Sequence, residues 1–124
     1  MNNTKEAIIK TNSKKFFNYW LLLTKPLHKL KPIEVNVLAL LLYYYFEFKK
    51  EIKNDSIAWK LVFEHDIKLK IKNELNIKCD QSITNVIYNL RKKNIIINNT
   101  VNKSFIPNID DKTSLLVFKF EIND

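Results

Sequence analysis

Residues 75–96, LNIKCDQSITNVIYNLRKKNII, carry the clearest structural pattern in the sequence. In this stretch apolar residues recur at i, i+3, i+4 and i+7, the spacing of an amphipathic helix: Ile83, Val86, Ile87 and Leu90. The pattern predicts a helix over 81–93, preceded by a tight corner at 76–80. Asn94 follows directly, and Asn tolerates the left-handed conformation in which many helices end.

Upstream, two further helices are predicted. Asp66 can cap a helix that runs through Leu75, with apolar residues at i, i+4 and i+8. Residues 32–50 form a longer one, with Pro32 in its first turn and Glu34 near the positive end of the helix dipole. This long helix is apolar on both sides, so it must be covered on both, either by the aromatic segment at 16–23 or by a second subunit.

The N-terminal part reads as an extension that packs on the core, spanning residues 1–29. Ser13 is the expected cap of an amphipathic segment, 14–24. Pro26 disfavours helical geometry at Lys25, so the stretch up to Pro32 is expected to be a connector. Further along, residues 57–63 are compatible with either a short strand or a helical turn.

Downstream of the helices, two strands are expected, at 95–97 and 116–122. The second alternates apolar and other residues, as a strand with one buried face does. The segment between them is rich in turn-forming residues. The sequence therefore predicts a mainly α fold with a small antiparallel β wing, a winged helix-turn-helix domain over residues 30–124.

The same stretch carries a resemblance to a family. Leu75-Asn76-Ile77, the periodic helix, and Leu90-Arg91-Lys92-Lys93-Asn94-Ile95-Ile96 resemble the helix-turn-helix core of winged-helix regulators of the multiple-antibiotic-resistance repressor type. Those regulators typically have Gly where Asn76 and Asn94 stand here. The resemblance implies a winged helix far more directly than it implies a function, because one fold serves many functions.

Charge and composition bear on the partner. The net charge is +8, which favours nucleic acid or another acidic surface. However, 20 of the 21 basic residues are lysines. The chain is also rich in Lys, Asn and Ile and has no Gly, which is the composition that an AT-rich gene would produce. Codon bias therefore explains part of the charge, and the composition is similar to that of a small protein of an AT-rich bacterial virus.

The residues that could carry chemistry do not form a catalytic pattern. His28 and His65 are isolated and expected at the surface, and one cysteine provides no zinc-ligand spacing. A thiolate at Cys79, at the helix corner, is favoured by the helix N-terminus and opposed by Asp80. Asp110 and Asp111 are expected to solvate a loop. Without any Gly, Gly-dependent phosphate loops are excluded. The interpretation is a protein that is not an enzyme and needs no cofactor or metal.

The first functional hypothesis is a DNA-binding transcriptional regulator of bacteriophage type that reads AT-rich duplex, with a homodimer as the expected form and the cytoplasm of a bacterial host cell as the expected location. Its predicted recognition helix presents amide and hydroxyl side chains that can bond base edges: Gln81, Ser82, Thr84, Asn85, Tyr88 and Asn89. Its predicted phosphate contacts are basic: Lys78, Arg91, Lys92 and Lys103. Acidic residues in the expected wing oppose this hypothesis.

The second hypothesis is a protein-protein interaction module, such as a virion component inside a viral particle or a part of a replication assembly. It depends on a surplus of aromatic residues that could form a partner interface: Phe16, Phe17, Trp20, Tyr43, Tyr44 and Phe46. The alternative is that the N-terminal segment covers these rings within one chain. No membrane segment is expected, because the longest apolar run, residues 35–48, is shorter than a bilayer span.

Overall fold

The computed structural model describes residues 8–110 and 112–117. In this part the chain is mainly helical, with a small antiparallel hairpin after the last α-helix, so the expected fold class is confirmed at this level. The elements in chain order are α1 (Ser13–Leu23), α2 (Lys25–His28), α3 (Pro32–Lys49), α4 (Asp55–Val62), α5 (His65–Glu74), α6 (Asp80–Lys92), β1 (Ile96–Ile97), β2 (Thr100–Val101) and a 3-10 turn (Lys103–Phe105).

Helix α3 is the centre of the core. Leu38, Leu41 and Leu42 in its middle are fully buried. Helix α1 packs along it, and α4, α5 and α6 contact it as well. The helix is therefore covered within one chain, which is how its apolar composition on both sides is satisfied without a second subunit.

The start of α3 is tied to the end of α6 by a buried carboxylate. Glu34 is 2% exposed, accepts a hydrogen bond from the Lys31 backbone N–H at 3.0 Å, and pairs with the Lys93 ammonium at 2.7 Å. Burial by itself would raise the pKa of this carboxyl, but the bonds from Lys93 and Lys31 outweigh burial and hold the pKa below its usual range. The pair therefore fixes the position of α6 relative to the core.

The N-terminal elements differ from the sequence expectation in three places. Asn12, not Ser13, caps α1, by accepting a hydrogen bond from the Lys15 N–H at 2.8 Å. The expected connector contains the short helix α2, because Pro26 lies in its first turn, where a missing N–H costs nothing. His28 is buried, and the expectation that it lies at the surface is wrong.

His28 has a structural role. Its Nδ1 accepts from the Leu30 N–H at 3.0 Å, so the ring proton is on Nε2, which donates to the Leu21 carbonyl oxygen at 2.7 Å. Both ring nitrogens are satisfied by the backbone. The ring therefore joins the end of α1 to the start of α3, while His65 is exposed as expected.

The segment from α4 to α6 follows the sequence more closely. The ambiguous stretch at 57–63 is helical and belongs to α4, which Asn54 caps by accepting from the Ile57 N–H at 3.1 Å. The corner between α5 and α6 lies where it was expected. Asn76 and Asn94 both have positive φ, 54° and 59°, so the corner before α6 and the end of α6 each hold an Asn in the left-handed conformation.

The hairpin is shorter and earlier than expected. Ile96 pairs with Val101 and Ile97 with Thr100. Asn98 and Asn99 form the two-residue turn with φ of 50° and 56°, as a type I′ turn requires. The second strand thus lies inside the segment expected to be a loop. Of the predicted strand at 116–122, residues 116 and 117 have no regular structure, and the remainder lies outside the described residues.

Candidate nucleic-acid interface

Helix α6 has one face in the core and one in solvent. Ile83, Val86, Ile87 and Leu90 are buried against the rest of the molecule. The six residues predicted to read bases are all exposed: Gln81, Ser82, Thr84, Asn85, Tyr88 and Asn89. Because the apolar spacing fixes the rotation of the helix, these polar side chains share a continuous outer surface, which we call the α6 polar face.

Two amides on this face are linked to each other. Gln81 Nε2 donates to Asn85 Oδ1 at 2.9 Å, across one helical turn. This bond leaves the Gln81 carbonyl oxygen as an acceptor and the Asn85 amide nitrogen as a donor. Adenine presents one acceptor and one donor in the major groove, so a paired acceptor and donor on a helix match it chemically.

Cations flank the face. Lys78, Arg91 and Lys92 are exposed at its two ends. Arg91 donates to the Asn99 side chain in the hairpin turn at 2.6 Å, and the Lys92 ammonium lies 5.5 Å from the Tyr88 ring centroid. The helix end and the hairpin turn are thereby joined by a polar contact.

A further cation comes from the preceding helix. Lys68 of α5 lines a shallow depression of about 150 Å³ together with Thr84, Tyr88 and Arg91. The sequence reasoning missed Lys68 because it considered only α6 and the wing. The signal that could have identified it is its place one position after the buried Ile67, which turns it toward the edge of the neighbouring helix.

The acidic groups near the face are largely compensated. Residues 65–94 contain seven basic and three acidic side chains. Asp80, at the start of α6, pairs with Lys72 at 2.7 Å, which lowers the pKa of its carboxyl, and Glu74 pairs with Lys14 of α1. The surface therefore keeps a positive balance, as phosphate contact requires.

Lys103 does not lie with these residues. It lines a separate open groove of about 450 Å³, whose other residues include Tyr45, Asp55 and Trp59. Asp110, the acidic residue expected to weaken a wing, lies in a local turn beyond the hairpin, where its carboxylate accepts from the Lys112 N–H at 2.8 Å. Asp111 is outside the described residues.

Cys79 is the residue before α6 and is exposed. Its sulfur lies 3.0 Å from the Ser82 hydroxyl oxygen. That side-chain hydrogen bond, followed by the bond from the Ser82 backbone N–H, lowers the pKa of the thiol. The Ser82 side chain is therefore the main cause of this lowering, and the backbone N–H groups at the start of α6 add to it.

The aromatic residues predicted as a partner interface mostly pack inside the chain. Phe17 is 2% exposed and stacks on Phe46, with 5.4 Å between ring centroids. Trp20 donates its indole N–H to the Phe105 carbonyl oxygen at 2.8 Å. Phe16, Tyr43 and Tyr44 are half-buried around them. The α1 rings pack against α3, which itself carries Tyr43, Tyr44 and Phe46, and this packing leaves little of the rings for a partner.

A different apolar surface is exposed on α1 and α2. Tyr19, Leu22, Leu23 and Leu27 lie on the outer side of α1 and α2, and Leu22 and Leu27 are 57% and 74% exposed. We call these four residues the α1–α2 apolar patch. This patch was not predicted, because the whole aromatic segment was expected to cover the core. The helical spacing could have identified it, since Tyr19, Leu22 and Leu23 are out of phase with the buried Phe17 and Leu21.

Comparison with known proteins gives no relative: no family model, no curated protein and no solved structure matches this chain. Within the described residues, no helix combines the length and the apolar character needed to cross a membrane.

Proposed function

We propose that this chain is a winged-helix DNA-binding protein of the transcriptional-regulator kind, as a bacteriophage of AT-rich genome would encode. In this proposal α5 and α6 are the helix-turn-helix, α6 enters the major groove, and the β1–β2 hairpin is the wing. The order of helices and hairpin and the free outer side of α6 support it.

The observation that carries the proposal is the α6 polar face. A helix that served only to fill the core would need no particular chemistry on its solvent side. Here that side holds an amide pair, Gln81 and Asn85, whose free acceptor and donor are complementary to adenine. The predicted preference is therefore for A·T pairs at the positions that this pair contacts.

Phosphate contacts come from the cations around the face. Lys68, Lys78, Arg91 and Lys92 supply four positive charges from α5, the corner and the end of α6. Each phosphate contact adds roughly −0.9 to the slope of log affinity against log salt, so four contacts give a slope of about −3.6.

The test is a titration of fluorescently labelled duplexes of low and high AT content, carried out over a salt series. The proposal predicts tighter binding to the AT-rich duplex and retention of binding at physiological salt. Binding that disappears at physiological salt, or that is equal for all duplexes, would reduce the interaction to nonspecific charge attraction and contradict the proposal.

Matched variants separate base reading from phosphate contact. Asn85→Ala is expected to remove the AT preference at a cost of about 1–3 kcal/mol in specific binding. Asn108→Ala, an exposed Asn in the separate groove, should leave the preference unchanged. Lys92→Gln should lower the magnitude of the salt slope by about 1, whereas Lys60→Gln, on the exposed side of α4, should not change it.

A further inference from the structure

The α1–α2 apolar patch is unusual among the exposed apolar residues of the described chain. Isolated exposed apolar residues are normal on protein surfaces, whereas contiguous ones indicate contact with something else. Tyr19, Leu22 and Leu23 stand at i, i+3 and i+4 on α1, and Leu27 follows on α2, which continues the chain one residue after α1 ends.

The charged side chains in and next to α1 and α2 along the sequence have one sign, and Glu74 of α5 pairs with one of them, Lys14. No Asp or Glu occurs from residue 7 to residue 33, while six Lys do. Three of them, Lys15, Lys25 and Lys29, are exposed on α1, on α2 and directly after α2. The patch is therefore an apolar strip with a rim of positive charge and no compensating acid in its own sequence neighbourhood.

This charge pattern argues against two possible occupants. A second copy of the chain docked by two-fold symmetry would place the same patch opposite itself and bring lysines against lysines. Duplex DNA would satisfy the lysines but would leave the leucines in water. An amphipathic helix with acidic flanks satisfies both, because its apolar side covers the leucines and its carboxylates face the lysines.

We propose that the α1–α2 apolar patch is a docking site for an acidic amphipathic helix of a partner protein. The apolar contacts supply the affinity and the lysine rim supplies the orientation and the preference for acidic partners. This surface is formed by elements other than α5, α6 and the hairpin, so the proposal does not depend on DNA binding.

The test uses a synthetic peptide of about 18 residues, long enough to be helical in isolation, with Leu at helical spacing and Glu at the solvent positions. Two control peptides carry the same leucines with Lys in place of Glu, or the same composition in scrambled order. The full chain is titrated with each. Binding of the acidic helical peptide alone is the expected result, and binding of none of the three, or of all three equally, would overturn the proposal.

Variants locate the site on the protein. Leu22→Ser combined with Leu27→Ser removes apolar surface that is already exposed, and it is expected to weaken peptide binding about tenfold or more. Ile57→Ser, which removes an apolar residue that is 50% exposed on α4, should not weaken it. Circular dichroism confirms that each variant is folded. Equal weakening by both variants would contradict the assignment.

The competing occupants give distinct readouts. Dimerisation of the wild-type chain that the Leu22→Ser, Leu27→Ser variant abolishes in sedimentation equilibrium would assign the patch to a second copy and overturn the proposal. Binding to phosphatidylserine vesicles that exceeds binding to the acidic peptide and requires Leu22 and Leu27 would assign it to a membrane surface, with the same consequence.

Discussion

At the scale of single residues, the Glu34–Lys93 pair is the contact that places α6. Its carboxylate is buried and its ammonium is partly exposed, so the pair joins two helices far apart in sequence while keeping one partner in water. Replacing only one partner leaves the other without its bond, and that loss is larger than the net contribution of the bond itself.

We therefore expect Glu34→Gln to lower the free energy of unfolding by about 1–3 kcal/mol at neutral pH, measured by urea denaturation. The pKa of Glu34 is lower in the folded than in the unfolded chain. The ionised carboxylate therefore contributes fully to the free energy of unfolding above the ordinary Glu pKa of about 4.3, and this contribution is lost as the pH falls through the pKa of the folded state. The difference between wild type and variant should shrink with acid. Glu51→Gln, at an exposed site, is the control, and a difference that is independent of pH would contradict the account.

A second prediction at this scale concerns the end of α6. Asn94 has φ of 59°, so Asn94→Gly should be at least as stable as wild type, while Asn94→Ala should cost about 1 kcal/mol because a Cβ disfavours this conformation. The order should reverse at Asn89, an exposed position inside the helix, where Ala is better than Gly by about 1 kcal/mol. Thermal unfolding of the four variants measures both orders, and the same order at both sites would contradict the left-handed assignment.

Among the helices, α3 lies at the centre and is contacted by α1, α4, α5 and α6. Leu41 is fully buried in its middle, and Leu41→Ala should cost about 2.7–5 kcal/mol, as deletions in packed cores do. Leu22→Ala, on the exposed side of α1, should stay within about 0.5 kcal/mol of wild type. Denaturant titration compares the two, and similar small losses would show that α3 is not enclosed.

The helices could be predicted from the sequence more accurately than the hairpin. The helices with one apolar face and an identifiable end were predictable, because the spacing of Ile83 to Leu90 and the presence of Asn94 determine both the buried side and the boundary. The first strand lies within the predicted 95–97, but the second was misplaced, since the strands are two residues long, too short for alternation to be detected, whereas the alternating residues at 116–122 gave a stronger pattern.

The candidate site was predictable for a related reason. The outward direction of Asn85 or Tyr88 follows from the apolar spacing on the same helix. In contrast, the position of Lys68 beside α6 and of Lys103 in a different groove depends on how elements pack, which no local pattern contains. Burial of His28 was missed for the same reason, because its partners are the backbone groups of Leu21 and Leu30 around a turn.

At the scale of the whole molecule, the described chain has two outward surfaces of different character. The α6 polar face has amides, hydroxyls and cations, and the α1–α2 apolar patch has leucines with a lysine rim. The first carries the proposed DNA contact and the second the proposed docking of a partner helix. Since these surfaces share no residue, each can be changed by substitution without altering the other.

The proposal that α6 and the hairpin bind DNA is tested by mapping where an AT-rich duplex contacts the protein. The map comes from the backbone amide chemical shifts of the labelled chain at physiological salt. If α6 and the hairpin bind DNA, the largest chemical-shift changes fall on residues 78–92 and on the hairpin turn at Asn98 and Asn99, and the amides of α1 and α2 do not change. Shifts centred on α1 and α2, or spread evenly over all surface lysines, would contradict this proposal.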